Sequence, residues 1–300
     1  MSTPVPVARI VVGYTATKAG RDAVAFASRL AAATGASLHL VLVLPAQKPG
    51  VVPPDAGYER HVREQAAGWL REGAAEISDG VAHRAHVRYG ESVASGLVDT
   101  ADELGASLIV VGAADGGHRG RHRLGTTTTE LVHSSDVPVA LVPRGARRIP
   151  ADTGITRLTA AVGEREGTEL LVEETIRVAA ATGAPVRLLS LVALDLPAGL
   201  DTGAIRTVGD AHAQDVLDEV RTALPADAEI AAVVATGDGI EDAASHLEWE
   251  AGEILLVGSS RLAQPRRLFL GSTAARMLRV VTAPMIVVPR TRSDREGASA

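Results

Sequence analysis

The residues best suited to chemistry form a glycine-rich run, Gly112-Ala113-Ala114-Asp115-Gly116-Gly117-His118-Arg119-Gly120-Arg121-His122-Arg123-Leu124-Gly125, followed by Thr126 to Thr129. Its five glycines in fourteen residues let a backbone approach a ligand closely and present N–H groups to it. The threonines then open a helix, whose first amides and hydroxyls suit an anion. Arg119, Arg121 and Arg123 add guanidiniums able to pair with phosphate oxygens. Together these describe a phosphate cradle, although a strand-to-helix connection that binds nothing has the same composition. A second run, Gly258 to Thr273, keeps the outer framework of Gly258, Gly271, Ser272 and Thr273, with Arg266 and Arg267 inside it. Its middle has lost the glycines.

Other chemistries find less support. Cysteine is absent, which excludes disulfides, thiolate nucleophiles and Cys-ligated metals. His83 and His86 fall at the entry to a strand, and His118 and His122 would share a helical face only if their glycine-rich loop were helical. No metal site is expected. There is no Gly-x-Ser-x-Gly turn and no Gly-x-x-x-x-Gly-Lys-Ser/Thr phosphate loop. Of a Gly-x-Gly-x-x-Gly after the first strand only Gly13 and Gly20 are present. A net charge of −6 gives no basic excess for nucleic acid. No apolar run reaches membrane-spanning length, and Met1 to Arg9 lacks the layout of a secretory signal. The expectation is a cytoplasmic protein with no nucleic-acid or membrane partner.

The elements that must position the cradle occur twice. Ala31-Ala32-Ala33-Thr34-Gly35-Ala36 returns 148 residues later as Ala179 to Ala184, and Leu108-Ile109-Val110-Val111-Gly112 returns after 146 as Ile254 to Gly258. So long a period indicates duplication of a whole domain. In the first half, apolar strands near 10–12, 38–44, 85–89, 108–111 and 137–142 alternate with helices over 21–33, 59–77, 92–104 and 126–133. The second half repeats the order, with strands near 158–162, 186–192, 230–235, 254–257 and 284–288. Aromatic residues make up only 2% of the chain, so the core must be aliphatic, as buried parallel strands under Ala-rich helices require. Each half is predicted to be a doubly wound five-stranded parallel α/β domain, whose ligand sits outside the carboxyl ends of its strands. The expected boundaries are domains over 1–146 and 155–290, a linker at 147–154 and a disordered tail at 291–300. Glu241-Asp242 and Glu248-Trp249-Glu250 read as a solvated helix face, and Trp69 and Trp249 as packing residues on helices.

Gly112 and Gly125-Thr126, Gly258 and Gly271-Ser272, and the closing strands 137–144 and 283–290 carry a resemblance to the universal stress protein family in each half. The family signature is Gly, two residues, Gly, nine residues, Gly, then Ser or Thr. Its second glycine is replaced here by Asp115 and by Arg261. The resemblance implies two tandem flavodoxin-like, adenine-nucleotide alpha hydrolase-like domains, paired through their fifth strands about a pseudo-twofold axis, with a homodimer as a further assembly. It implies a non-enzymatic stress-response protein that binds ATP, with Mg²⁺, or a related adenine nucleotide in at least one half. The site residues it implies are Gly13, Thr15, Gly112, Asp115, Gly125, Thr126 and Thr127, then Gly258, Arg261, Gly271, Ser272 and Thr273. ATP-binding members carry an aspartate at the end of the first strand, where Thr15 stands here. Asp115 would place a negative charge near the phosphates, whereas Arg261 could donate to them. A scaffold that acts through protein association and a weak ATPase are the alternative readings.

Overall fold

The computed structural model describes residues 8–46, 56–113, 124–163, 168–193, 203–222, 229–259, 268 and 270–289. The first half runs β1 (Arg9–Gly13), α1 (Lys18–Thr34), β2 (Ser37–Pro45), α2 (Ala56–Ala74), β3 (His83–Gly90), α3 (Val93–Leu104), β4 (Leu108–Gly112), α4 (Thr126–Ser134) and β5 (Val139–Val142). Two single 3-10 turns, Ala146–Arg148 and Ala151–Thr153, lead to the second half. There β6 (Leu158–Ala161), α5 (Thr168–Thr182), β7 (Val186–Ala193), α6 (Gly203–Thr222), β8 (Ile230–Gly237), α7 (Ile240–Ser245), β9 (Ile254–Gly258), α8 (Ser272–Met277) and β10 (Met285–Val288) repeat the order.

Local chemistry sets these limits. Thr17 accepts a hydrogen bond from the Gly20 amide to start α1, and Gly35, at φ 70°, ends it in the left-handed region. Ser92 and Ser95 close a reciprocal capping box at the start of α3. The continuous apolar runs of β1, β2 and β4 are buried on both faces, as strands covered by helices on each side must be.

The strands form one ten-stranded sheet in the order β3-β2-β1-β4-β5-β10-β9-β6-β7-β8. All neighbours are parallel except β5 and β10, which pair antiparallel with Ile286 opposite Ala140. The doubly wound parallel class expected from sequence is therefore present in each half, as is the pairing through fifth strands. Within that class β1 lies between β2 and β4, the order of dinucleotide-binding sheets, whereas flavodoxin places its third strand there. Two apolar layers span both halves: one under α1, α2, α5 and α6, containing Val24, Leu70, Leu171 and Leu217, and one under α3, α4, α7 and α8, containing Leu97, Leu131, Ala243 and Met277.

The sequence between the halves is fastened to α1. Asp22, fully buried, accepts from the Gly145 and Arg147 amides and from the Arg147 guanidinium. Arg29 donates to the Ala146 and Ile149 carbonyls.

The acidic residues before β9 need correction. Helix α7 stops at Ser245, so Trp249 and its flanking glutamates are not helical. Glu248, Glu250 and Asp242 are nonetheless exposed, as a solvated face requires, and Trp249 is half-buried. Arg187 lies 5.0 Å beneath the Trp249 ring and donates to the Glu248 carbonyl. Glu253, fully buried, accepts from Arg187 at 2.6 Å, from Arg157 at 2.8 Å and from the Thr159 hydroxyl. Burial draws the Arg187 pKa down, while the Glu253 hydrogen bond holds that of Arg157 up. Glu241 pairs with Arg276 and Arg279 of and beyond α8.

Candidate functional site

Strand order reverses between β1 and β4, so the crevice of the first half must open outside their carboxyl ends. A cavity of about 320 Å³ lies there. Gly13 ends β1 and Gly112 ends β4 beside it, and Gly125 with Thr126, Thr127 and Thr128 closes the far side. The first turn of α1 presses on the strand ends, since a Cβ on Gly112 would lie 2.1 Å from the Ala19 carbonyl oxygen. A larger residue at that position would push α1 away from the cavity.

Gly125 caps α4 with extended backbone, φ −93° and ψ 176°, and supplies no side-chain acceptor. The first amides of a helix have no intrahelical partner, so those of the threonine run are available to an anion and lie at the positive end of the helix dipole. Opposite them the Thr15 and Thr17 hydroxyls are 3.0 Å apart. Val43, Val93, Leu97 and Val111 supply apolar walls. Tyr14 also lines the cavity, yet its ring packs where Gly73 of α2 lacks a side chain. Burial and then the Glu76 charge raise its pKa, which keeps the phenol protonated.

The second half has a smaller cavity, about 180 Å³, lined by Gly163, Thr168, Ser190, Ser259, Gly271 and Thr273 among others. Gly258 also lines it, and a Cβ there would meet nothing within 4 Å among the described residues. Helix α8 is only six residues long, so its dipole is weaker than that of the nine-residue α4.

Thus the structure gathers Gly13, Thr15, Gly112, Gly125, Thr126 and Thr127 at one cavity, and Gly258, Gly271 and Thr273 at the other. Ser272 heads α8 with its side chain exposed, outside the residues that line the second cavity. Asp115 and Arg261, together with the loop arginines, lie outside the described residues, as does the 291–300 tail. Sequence reasoning placed Thr128 in the cradle with its neighbouring threonines but missed Thr17 and the apolar walls. Thr17 was legible as the N-cap of α1. Val43 and Leu97 come from separate elements, and only their packing brings them to the crevice. Among the described residues no three His, Asp or Glu side chains cluster to hold a metal, and no helix is long and apolar enough to cross a membrane.

Comparison with known proteins agrees with this architecture. The model of the universal stress protein family matches residues 6–143 and again 154–289. A curated universal stress protein of Mycobacterium tuberculosis is 31% identical over 291 residues, covering 93% of this chain and 99% of its own length. One from Mycobacterium bovis matches equally. A solved universal stress protein from Archaeoglobus fulgidus, 15% identical, superimposes with a TM-score of 0.67 over 94% of this chain and 98% of that one, a likeness of fold. The doubled match along one duplicated chain shows that this protein belongs to the universal stress protein family and carries two of its domains in tandem.

Proposed function

We propose that this protein is a cytoplasmic, non-enzymatic stress-response protein that binds an adenine nucleotide, ATP with Mg²⁺, in its first half. The observation that carries the reading is the meeting of the start of α4, Gly125 to Thr128, which has no side-chain cap, with the strand ends Gly13 and Gly112 at one cavity. The residues fit the ligand. Amides and hydroxyls of Thr126 to Thr128 would hold phosphate oxygens, while Thr15 and Thr17 offer hydroxyls to the sugar where the family's aspartate is missing. A volume of about 320 Å³ falls within the range of small-molecule sites. The described lining consists of amides, hydroxyls and apolar carbons, with Tyr14 protonated and turned toward α2.

The test is calorimetric titration of the chain with ATP and Mg²⁺, beside Thr127→Glu and Ser272→Glu variants. A carboxylate in the first turn favours the helix but repels phosphate, so folding is preserved while binding is challenged. Thr127→Glu should weaken ATP roughly tenfold or more, the scale of like charges in contact, and Ser272→Glu should change nothing. No saturable ATP binding would overturn the proposal and favour a scaffold acting through protein association.

A further inference from the structure

We infer that the first half reads the base of its ligand by stacking it on Trp69, which makes nucleoside phosphates, not bare phosphates, the ligand class; this rests on the nucleotide reading above. A second open groove, about 360 Å³, crosses the carboxyl end of β2 and is walled by Leu42, Leu44 and Trp69. It adjoins the phosphate cavity along Thr15, Thr17 and Val43, which line both. Alternation along β2 sends Leu42 and Leu44 to the α1–α2 face and Val43 to the α3 face. The strand end is therefore the divide, and the linked Thr15 and Thr17 hydroxyls stand on it.

A ligand laid across this divide meets amides at α4, hydroxyls in the middle and an indole at the far end. That succession matches phosphate, sugar and base. Trp69 is half-buried and packs against the core from the rigid scaffold of α2, while also bordering the groove. An aromatic ring held in this way stacks any base, because every base offers a π-face.

The second half lacks the device. Helix α6 begins 147 residues after α2 and ends 148 after it, so Val216 or Leu217 takes the place of Trp69, and both are buried aliphatics. The other tryptophan of the two in the chain, Trp249, packs over Arg187 of β7 ahead of the amino end of β9, in the second half.

Trp249→Phe leaves Trp69 as the sole tryptophan. This variant is titrated with Mg²⁺-ATP, Mg²⁺-GTP and inorganic triphosphate, following Trp69 emission and heat, beside Trp69→Leu and Trp69→Phe. Both nucleotides should change Trp69 emission, and triphosphate should not. Trp69→Leu should weaken ATP roughly ten- to a hundredfold, the scale of one lost stacking contact, with triphosphate affinity unchanged and Trp69→Phe near the unaltered chain. ATP that binds without altering Trp69 emission, at the same affinity in Trp69→Leu, would overturn the stacking and leave nucleotide binding intact. No heat with ATP in the unaltered chain would overturn both. Should Trp69→Leu fail to fold, the emission response of Trp249→Phe decides.

Discussion

At the scale of single residues, two sites carry sharp consequences. His39 of β2 and His86 of β3 share a hydrogen bond, Nδ1 to Nε2 at 2.9 Å, with ring centroids 5.2 Å apart. Burial first, and then cationic neighbours, lower both pKa values: the His86 partner, Arg9 and Arg84 for His39; Arg88 and Arg84, against Glu103, for His86. The unfolded chain takes up protons near 6.5, whereas the folded pair stays neutral to lower pH. Stability from the pair is thus complete above that value and is lost as pH falls through it, by at most about 1.4 kcal/mol per pH unit for each proton. Denaturant unfolding should show a larger loss between about pH 7.5 and 5.5 in the unaltered chain than in a His39→Leu, His86→Leu double variant; equal losses would sink the assignment. Glycine at 112 is a matter of space. Gly112→Ala drives a Cβ to 2.1 Å from the Ala19 carbonyl and should lower stability by about 1–3 kcal/mol, as overpacking does. Gly258→Ala meets nothing within 4 Å among the described residues and should stay within about 0.5 kcal/mol. Thermal melts of the two variants side by side would expose a symmetric response, which this contrast forbids.

At the scale of elements, α1 does more than cover the sheet. Its buried Asp22 organises the turn at Gly145–Arg147, so the sequence between the halves is held as structure. Asp22→Ala leaves two amides and a guanidinium without their acceptor and should cost about 2–4 kcal/mol. Limited trypsin digestion should then cut after Arg147 or Arg148 faster than in the unaltered chain, and an unchanged cleavage rate would show that the turn holds itself. Helix α1 was readable from spacing and from Gly35. The extent of α7 was not. Local sequence allows a helix through Trp249, but Arg157 and Arg187 claim the Glu248 carbonyl, and tertiary contacts override propensity.

At the scale of the molecule, the antiparallel seam between β5 and β10 makes one sheet of two. Every residue of β5 is buried, Val139 to Val142, so severing the halves would bare an apolar strand edge that seeks a partner. Residues 1–146 expressed alone should self-associate through that edge as an isologous dimer, seen by light scattering; a monomer over the micromolar range would show that the edge does not pair with itself.

The sequence by itself determined the duplication, the strand and helix order and the glycine-and-threonine framework of the cradle. Those features are local: they follow from hydrophobic period, capping residues and the backbone freedom of glycine. Which residues meet was decided by tertiary structure. Gly13 and Gly112 are nearly a hundred positions apart and become neighbours because β1 pairs with β4. Trp69 looked like any packing residue until the register of β2 laid its groove against Thr15 and Thr17. The Arg187–Glu253 pair left no sequence signal, because a buried charge is marked only by the partner that folding brings to it.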